Sequence, residues 1–156
     1  MACSSNSLAK DETILAVVKK VDADRGALKK ADQDKEAAEK QKQAKTSKEF
    51  PYYALITCGM GWNHLNTLVC FSGEHVDTEI EIRNGPEYGM YKVYDIFKLG
   101  RETSKGLEIN LRQKFELKVQ NADDSLVLGV RVFGRASGKM LFQKQVGKFG
   151  VIGVSN

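Results

Sequence analysis

The residues of this chain best suited to nucleophilic or metal chemistry are two histidines, His64 and His75, and three cysteines, Cys3, Cys58 and Cys70. A catalytic thiol needs a base within hydrogen-bond reach. Only Cys58 or Cys70 with His64 offers that combination close together in sequence. Both histidines fall in turn-like segments, Trp62-Asn-His64 and Ser72-Gly-Glu-His75, and both cysteines fall inside apolar runs, where a free thiol behaves as a small buried hydrophobe. Surface histidines and buried thiols are therefore expected in place of a Cys/His pair. The cysteines form no CxxC and are odd in number, so neither a zinc site nor a disulfide framework is indicated, although a single Cys58–Cys70 bridge stays open. Reduced thiols imply a cytoplasmic address.

Three other groupings invite chemistry and have plainer readings. Gly134-Arg-Ala-Ser-Gly138-Lys139 has a glycine and a lysine too few residues apart for a phosphate loop, and Met140 stands where Ser or Thr is needed, so it reads as a hairpin turn. Asn121, Asp123 and Asp124 lack the distal glutamate of a calcium loop and read as turn residues bonding their own backbone. Asp77, Glu79 and Glu81 alternate with apolar residues, which makes an exposed strand face that resists edge pairing commoner than an acid/base pair. No catalytic residue, metal ligand or cofactor is expected, and the chain is read as no enzyme.

The elements that carry these residues divide at Glu49-Phe50-Pro51. Residues 8 to 48 hold no proline, one glycine and many Ala, Lys, Glu and Gln, which predicts a long helix. Ile14, Val21 and Leu28 are seven apart and, with Val17, form a coiled-coil-like stripe that fades beyond Leu28. Gly26 makes a break near Asp22 to Gly26 as plausible as a continuous rod of roughly 60 Å. From Lys29 on the helix is polar all round, with pairs such as Glu36 and Lys40 to support it, and Ser5 or Ser7 is placed to cap its start.

Beyond Phe50 a period of two takes over. Phe115, Leu117 and Val119 alternate with Lys114, Glu116 and Lys118, and Leu126 to Phe133 and Lys139 to Phe142 follow as further strands, read together as a three-strand meander. Leu107 to Leu111, Tyr52 to Cys58, Leu65 to Phe71, Val76 to Ile82, Met90 to Phe97 and Phe149 to Val154 complete the set, with Asn84-Gly85-Pro86 as a turn and Leu99 to Gly106 as a charged loop. The fold class is mainly β: an antiparallel β-sandwich of eight or nine strands (50–156) preceded by an N-terminal helical extension (1–49).

The 156 residues suffice for one core plus an appendage, and a net charge of +4 does not argue for nucleic acid. No signal peptide, transmembrane segment or lipidation motif is visible. The charge is unevenly spread: +2 over residues 1–49, −4 over 50–97 and +6 over 98–156. Such halves dock head to tail between copies or face each other within one molecule. These observations lead to a non-catalytic structural or interaction module, binding protein partners or copies of itself through Ile14, Val17, Val21 and Leu28 and through its charged sheet faces. The alternatives are a peripheral module binding anionic lipid through a basic face of Arg131, Arg135, Lys139 and Lys144, and a small viral coat protein, whose arm would normally be more basic.

Overall fold

The structure is a computed structural model that describes the backbone of residues 8–72 and 79–156, and the side chains of those residues apart from 8–19 and 21–28. Cys3, Ser5, Ser7, His75 and Asp77, and the side chains of Ile14, Val17, Val21 and Leu28, lie outside the described residues. Contacts divide the chain into two compact units, Met1–Ala44 and Lys45–Asn156.

Helix α1, Leu8–Glu49, runs without a break through Gly26, so the alanine, arginine, leucine and lysine around that glycine outweigh its penalty of about 1 kcal/mol. Every residue from 29 to 45 is exposed, and the Glu36–Lys40 pair forms at 2.6 Å. A helix that is polar all round is stabilised by such i,i+4 pairs, each worth a few tenths of a kcal/mol.

The second unit is an antiparallel β-sandwich. Its strands are β1 (Tyr52–Met60), β2 (Asn63–His64), β3 (Ile80–Asn84), β4 (Glu87–Tyr91), β5 (Arg101–Thr103), β6 (Gly106–Leu111), β7 (Phe115–Gln120), β8 (Val127–Gly134), β9 (Met140–Val146) and β10 (Val151–Ser155). One sheet has the order β5-β6-β1-β8-β9, with β2 paired to β1, and the other has the order β10-β7-β3-β4. Alternate residues of both sheets meet in one core, among them Ile56, Leu107, Val130 and Val132 from the first sheet and Ile80, Leu117, Val119 and Ile152 from the second. Phe115, Leu117 and Val119 are buried and Glu116 and Lys118 exposed, as their period of two requires.

Central strand β1 is covered on both sides, because Leu55 and Thr57 are buried along with Ala54, Ile56 and Cys58. The outer cover is aromatic and cationic. Tyr53 stacks on Phe133 (5.1 Å between ring centroids), Arg135 lies 5.1 Å over the Tyr53 ring, and Arg131 lies 4.7 Å over Trp62. Glycine at 129 leaves room for this layer: a Cβ there would stand 2.5 Å from Thr57 Oγ1 and 2.7 Å from the Trp62 ring.

Several expectations are corrected. The described residues hold ten strands instead of eight or nine. The meander is not one, because β7 and β8 belong to different sheets and the chain crosses between them at Asn121; only β8 and β9 form a hairpin. Leu65 to Phe71 is not a strand: Thr67–Phe71 is a 3-10 helix whose first turn is capped by Asn66 Oδ1, which accepts the Leu68 N–H at 2.9 Å. The strand expected over Met90 to Phe97 stops at Tyr91, opposite Ile80, and a turn leads into the short helix α2 (Ile96–Leu99). The charged loop Leu99 to Gly106 contains β5, which pairs with β6 from Arg101 opposite Glu108 to Thr103 opposite Gly106.

Candidate interaction faces and the buried polar cluster

Cys58 and Cys70 are joined by a disulfide, with their Cα atoms 5.8 Å apart and both residues fully buried. This corrects the expectation of reduced thiols and removes the support that it lent to a cytoplasmic address. The bridge ties β1 to the 3-10 helix and closes a ring with a sequence separation of 12.

His64 sits inside that ring and is no surface histidine, since its side chain is 4% exposed. Its Nδ1 accepts the Cys58 backbone N–H at 3.2 Å, so the ring proton resides on Nε2, which donates to Glu102 Oε1 at 2.8 Å. Glu102 also accepts the Thr67 N–H on Oε1 (3.1 Å) and the Thr67 hydroxyl on Oε2 (2.8 Å). The fold thus brings His64 and Cys58 together, but with both imidazole nitrogens engaged and the sulfur bonded to its partner. Chemically the cluster is a brace: one carboxylate on β5 holds three donors of a disulfide-closed loop. Glu102 was not singled out by sequence reasoning; the signal available was that His64 and Thr67, polar residues among apolar ones, need an acceptor from elsewhere.

Asn121 and its neighbours are turn residues, as expected, with a further task. The fully buried Asn121 side chain donates to Leu126 O (2.8 Å) and Gly147 O (3.1 Å) and accepts the Asp123 N–H (3.0 Å), tying three segments together. Asp123 accepts the N–H of Leu126 and both the N–H and hydroxyl of Ser125. The Leu126 and Ser125 backbone bonds hold its carboxyl below the ordinary value. The Gly134 to Lys139 segment closes a hairpin turn, the Gly134 N–H donating to Lys139 O at 2.9 Å and Gly138 taking a positive φ of 64°. Among the described residues no three His, Cys, Asp or Glu side chains group as a metal site would require.

The four expected basic-face residues do not share a face. Arg131 lies on the outside of the first sheet, and Arg135 reaches back to the same side, donating to Asn110 Oδ1 and, at 3.1 Å, to Phe50 O. Lys139 is exposed in the β8–β9 turn. Lys144 pairs across β8–β9 with Val130, a core residue, which gives it the opposite parity to Arg131.

Glu81 of the acidic stripe meets charged residues of β7 on the outside of the second sheet. There Glu81 lies opposite Lys118, with 3.6 Å between charged atoms, and Arg83 opposite Glu116, also at 3.6 Å. Following the register across all four strands gives two rows: Ser155, Glu116, Arg83, Tyr88 and Gly153, Lys118, Glu81, Met90. Tyr88 and Met90 are more than half exposed, and the Tyr88 hydroxyl donates to Glu81 at 3.1 Å. A groove of about 320 Å³ runs along this face beside Gly153. Along β3 and β7 charges from the two segments are thus interleaved within one molecule, each beside its opposite.

Compared with known proteins, the chain matches no family model, no curated protein and no solved structure. No helix among the described residues is long and apolar enough to cross a membrane.

Proposed function

We propose that this protein is a non-catalytic assembly module: a rigid β-sandwich that associates with copies of itself, aided by an N-terminal helical arm. The observation that carries the reading is the arm. Residues 29 to 45 of α1 are exposed all round, and a helix of 42 residues without a buried side over that stretch contributes reach in place of a core. The stripe Ile14, Val17, Val21 and Leu28 supplies a heptad-spaced apolar seam ahead of it, of the kind that pairs with the same seam of another helix. The engaged nitrogens of His64 and the bonded sulfurs of Cys58 and Cys70 support the non-catalytic part of the reading. The disulfide favours an oxidising location, so the cytoplasmic address is not carried forward.

Light scattering of the full chain after size exclusion, run over a range of concentrations, tests the reading. The expected result is a species larger than the monomer that shifts toward monomer when Ile14 and Val21 are both replaced by Glu. A strict monomer at every concentration, unchanged by the double substitution, overturns it.

A further inference from the structure

Resting on the assembly reading, and naming the surface that it uses, we propose that the outer face of the second sheet is a two-fold, face-to-face contact between two copies of this chain. The argument is in the two rows. Each reads small, charged, oppositely charged, large: Ser155, Glu116, Arg83, Tyr88 and Gly153, Lys118, Glu81, Met90. A two-fold axis lying in the interface and parallel to the strands, midway between β7 and β3, reverses each row over itself. Arg83 of one copy then stands over Glu116 of the other, Glu81 over Lys118, Tyr88 over Ser155 and Met90 over Gly153. Within these two rows every charge meets its opposite, and each exposed large side chain meets a small one. An isologous contact requires this self-complementarity.

Size distinguishes this axis from its rival. An axis perpendicular to the strands also opposes unlike charges, but it sets Tyr88 on Met90 and leaves Gly153 and Ser155 facing each other across a gap. Gly153 is the seat: nothing lies within 4 Å of where its Cβ would be, and the 320 Å³ groove runs beside it. Four strands at about 4.8 Å spacing make the face only about 20 Å wide. With strands of five residues, about 17 Å long, the face covers about 340 Å², well short of the roughly 800 Å² per partner of a standard interface, so the contact is weak and sensitive to salt.

The test is sedimentation equilibrium of the full chain at low salt, in both the parent and the Ile14→Glu/Val21→Glu background, so that arm-borne and face-borne association separate. Gly153→Leu places its Cβ where no atom of its own chain lies within 4 Å and projects the rest of the side chain into the seat, and Met90→Ala removes the knob. Each is expected to weaken the face-borne dimer at least tenfold while leaving the thermal midpoint at or above that of the parent for Gly153→Leu and near it for Met90→Ala. Glu81→Lys or Lys118→Glu alone is expected to weaken it likewise, and the two together to restore it. A chain that assembles through its arm but shows no change with Gly153→Leu, Met90→Ala or Glu81→Lys overturns the face and leaves the assembly reading standing. A chain that is monomeric throughout overturns both.

Discussion

Replacing Glu102 with Ala removes the one acceptor for three donors at once: Nε2–H of His64 and both the N–H and the hydroxyl of Thr67. A buried donor left without a partner costs about 1–3 kcal/mol. His64 is almost fully enclosed, but the Glu102 side chain is 31% exposed, so water reaches part of the vacated space. Three donors, partly rehydrated, give an expected loss of about 3 kcal/mol, a large share of the roughly 5–15 kcal/mol available to a small domain. Glu102→Gln is the informative control. Its amide has one accepting oxygen, so the hydroxyl of Thr67, or the pair of N–H groups on the other oxygen, faces a donor, and an intermediate loss of about 1–2 kcal/mol is expected. Urea unfolding followed by the single tryptophan, Trp62, reads the effect within the braced loop itself. Combining Glu102→Ala with Thr67→Val should cost less than the two separate losses added together, because the partners share one interaction. A Glu102→Ala chain within about 0.5 kcal/mol of the parent, at unchanged denaturant slope, would refute the view that this carboxylate holds the loop.

Replacing both Cys58 and Cys70 with Ser is expected to lower stability by about 3 kcal/mol, the loop-closure entropy for a ring with a sequence separation of 12. The same denaturation series checks it, and midpoints that agree with and without reductant in the parent would contradict the bridge. Asp123, whose carboxyl is held below its ordinary value of 3.8 by the Leu126 and Ser125 bonds, contributes stability that is fully present above that value and lost as pH falls through its lower folded value. Asp123→Asn keeps an accepting oxygen and removes the charge. The stability gap between parent and variant is therefore expected at neutral pH and should close on acidification below about pH 4, as read by urea midpoints across the acid range; a gap that widens there is the wrong sign.

The parts of the fold that depend on near neighbours were legible in the sequence. Helix α1 follows from a proline-free stretch dominated by strong helix formers, and the buried sides of β3, β7 and β8 follow from alternation alone. What alternation does not specify is the neighbour. Asn121 to Ser125 has the composition of a hairpin turn, yet the Asn121 amide bonds carbonyls at 126 and 147, and the chain crosses to the other sheet. The 3-10 helix was hidden for a similar reason: Leu68, Val69, Cys70 and Phe71 suit a strand, and only the Asn66 cap and the bond from Cys70 to Cys58 determine otherwise. Of the candidate chemistry, the pairing of His64 with Cys58 was visible as proximity, whereas Glu102, 38 residues away, was not. Nor was the Arg131–Trp62 contact, which depends on the β1–β8 register and on the missing side chain at Gly129.

Segment charges left two arrangements open, and the β3–β7 ladder favours the one within a single molecule. A one-residue slip in that ladder would turn Ile80 and Ile82 outward, so burial alone forbids it. A two-residue slip keeps them buried and must be refused by something else. In one direction it sets Glu81 against Glu116 and Arg83 against Lys114; in the other it sets Arg83 against Lys118. Like charges directly opposite each other are destabilising, and the observed register is the one that opposes Glu81 to Lys118 and Arg83 to Glu116. The same four residues therefore choose the register within one molecule and, once it is chosen, lay out a face whose charges reverse under a two-fold axis. Counted as −4 and +6 along the chain, those segments suggest poles that either join copies head to tail or face each other within one molecule. Interleaved at 3.6 Å on adjacent strands, they cancel locally and suit a copy turned face to face.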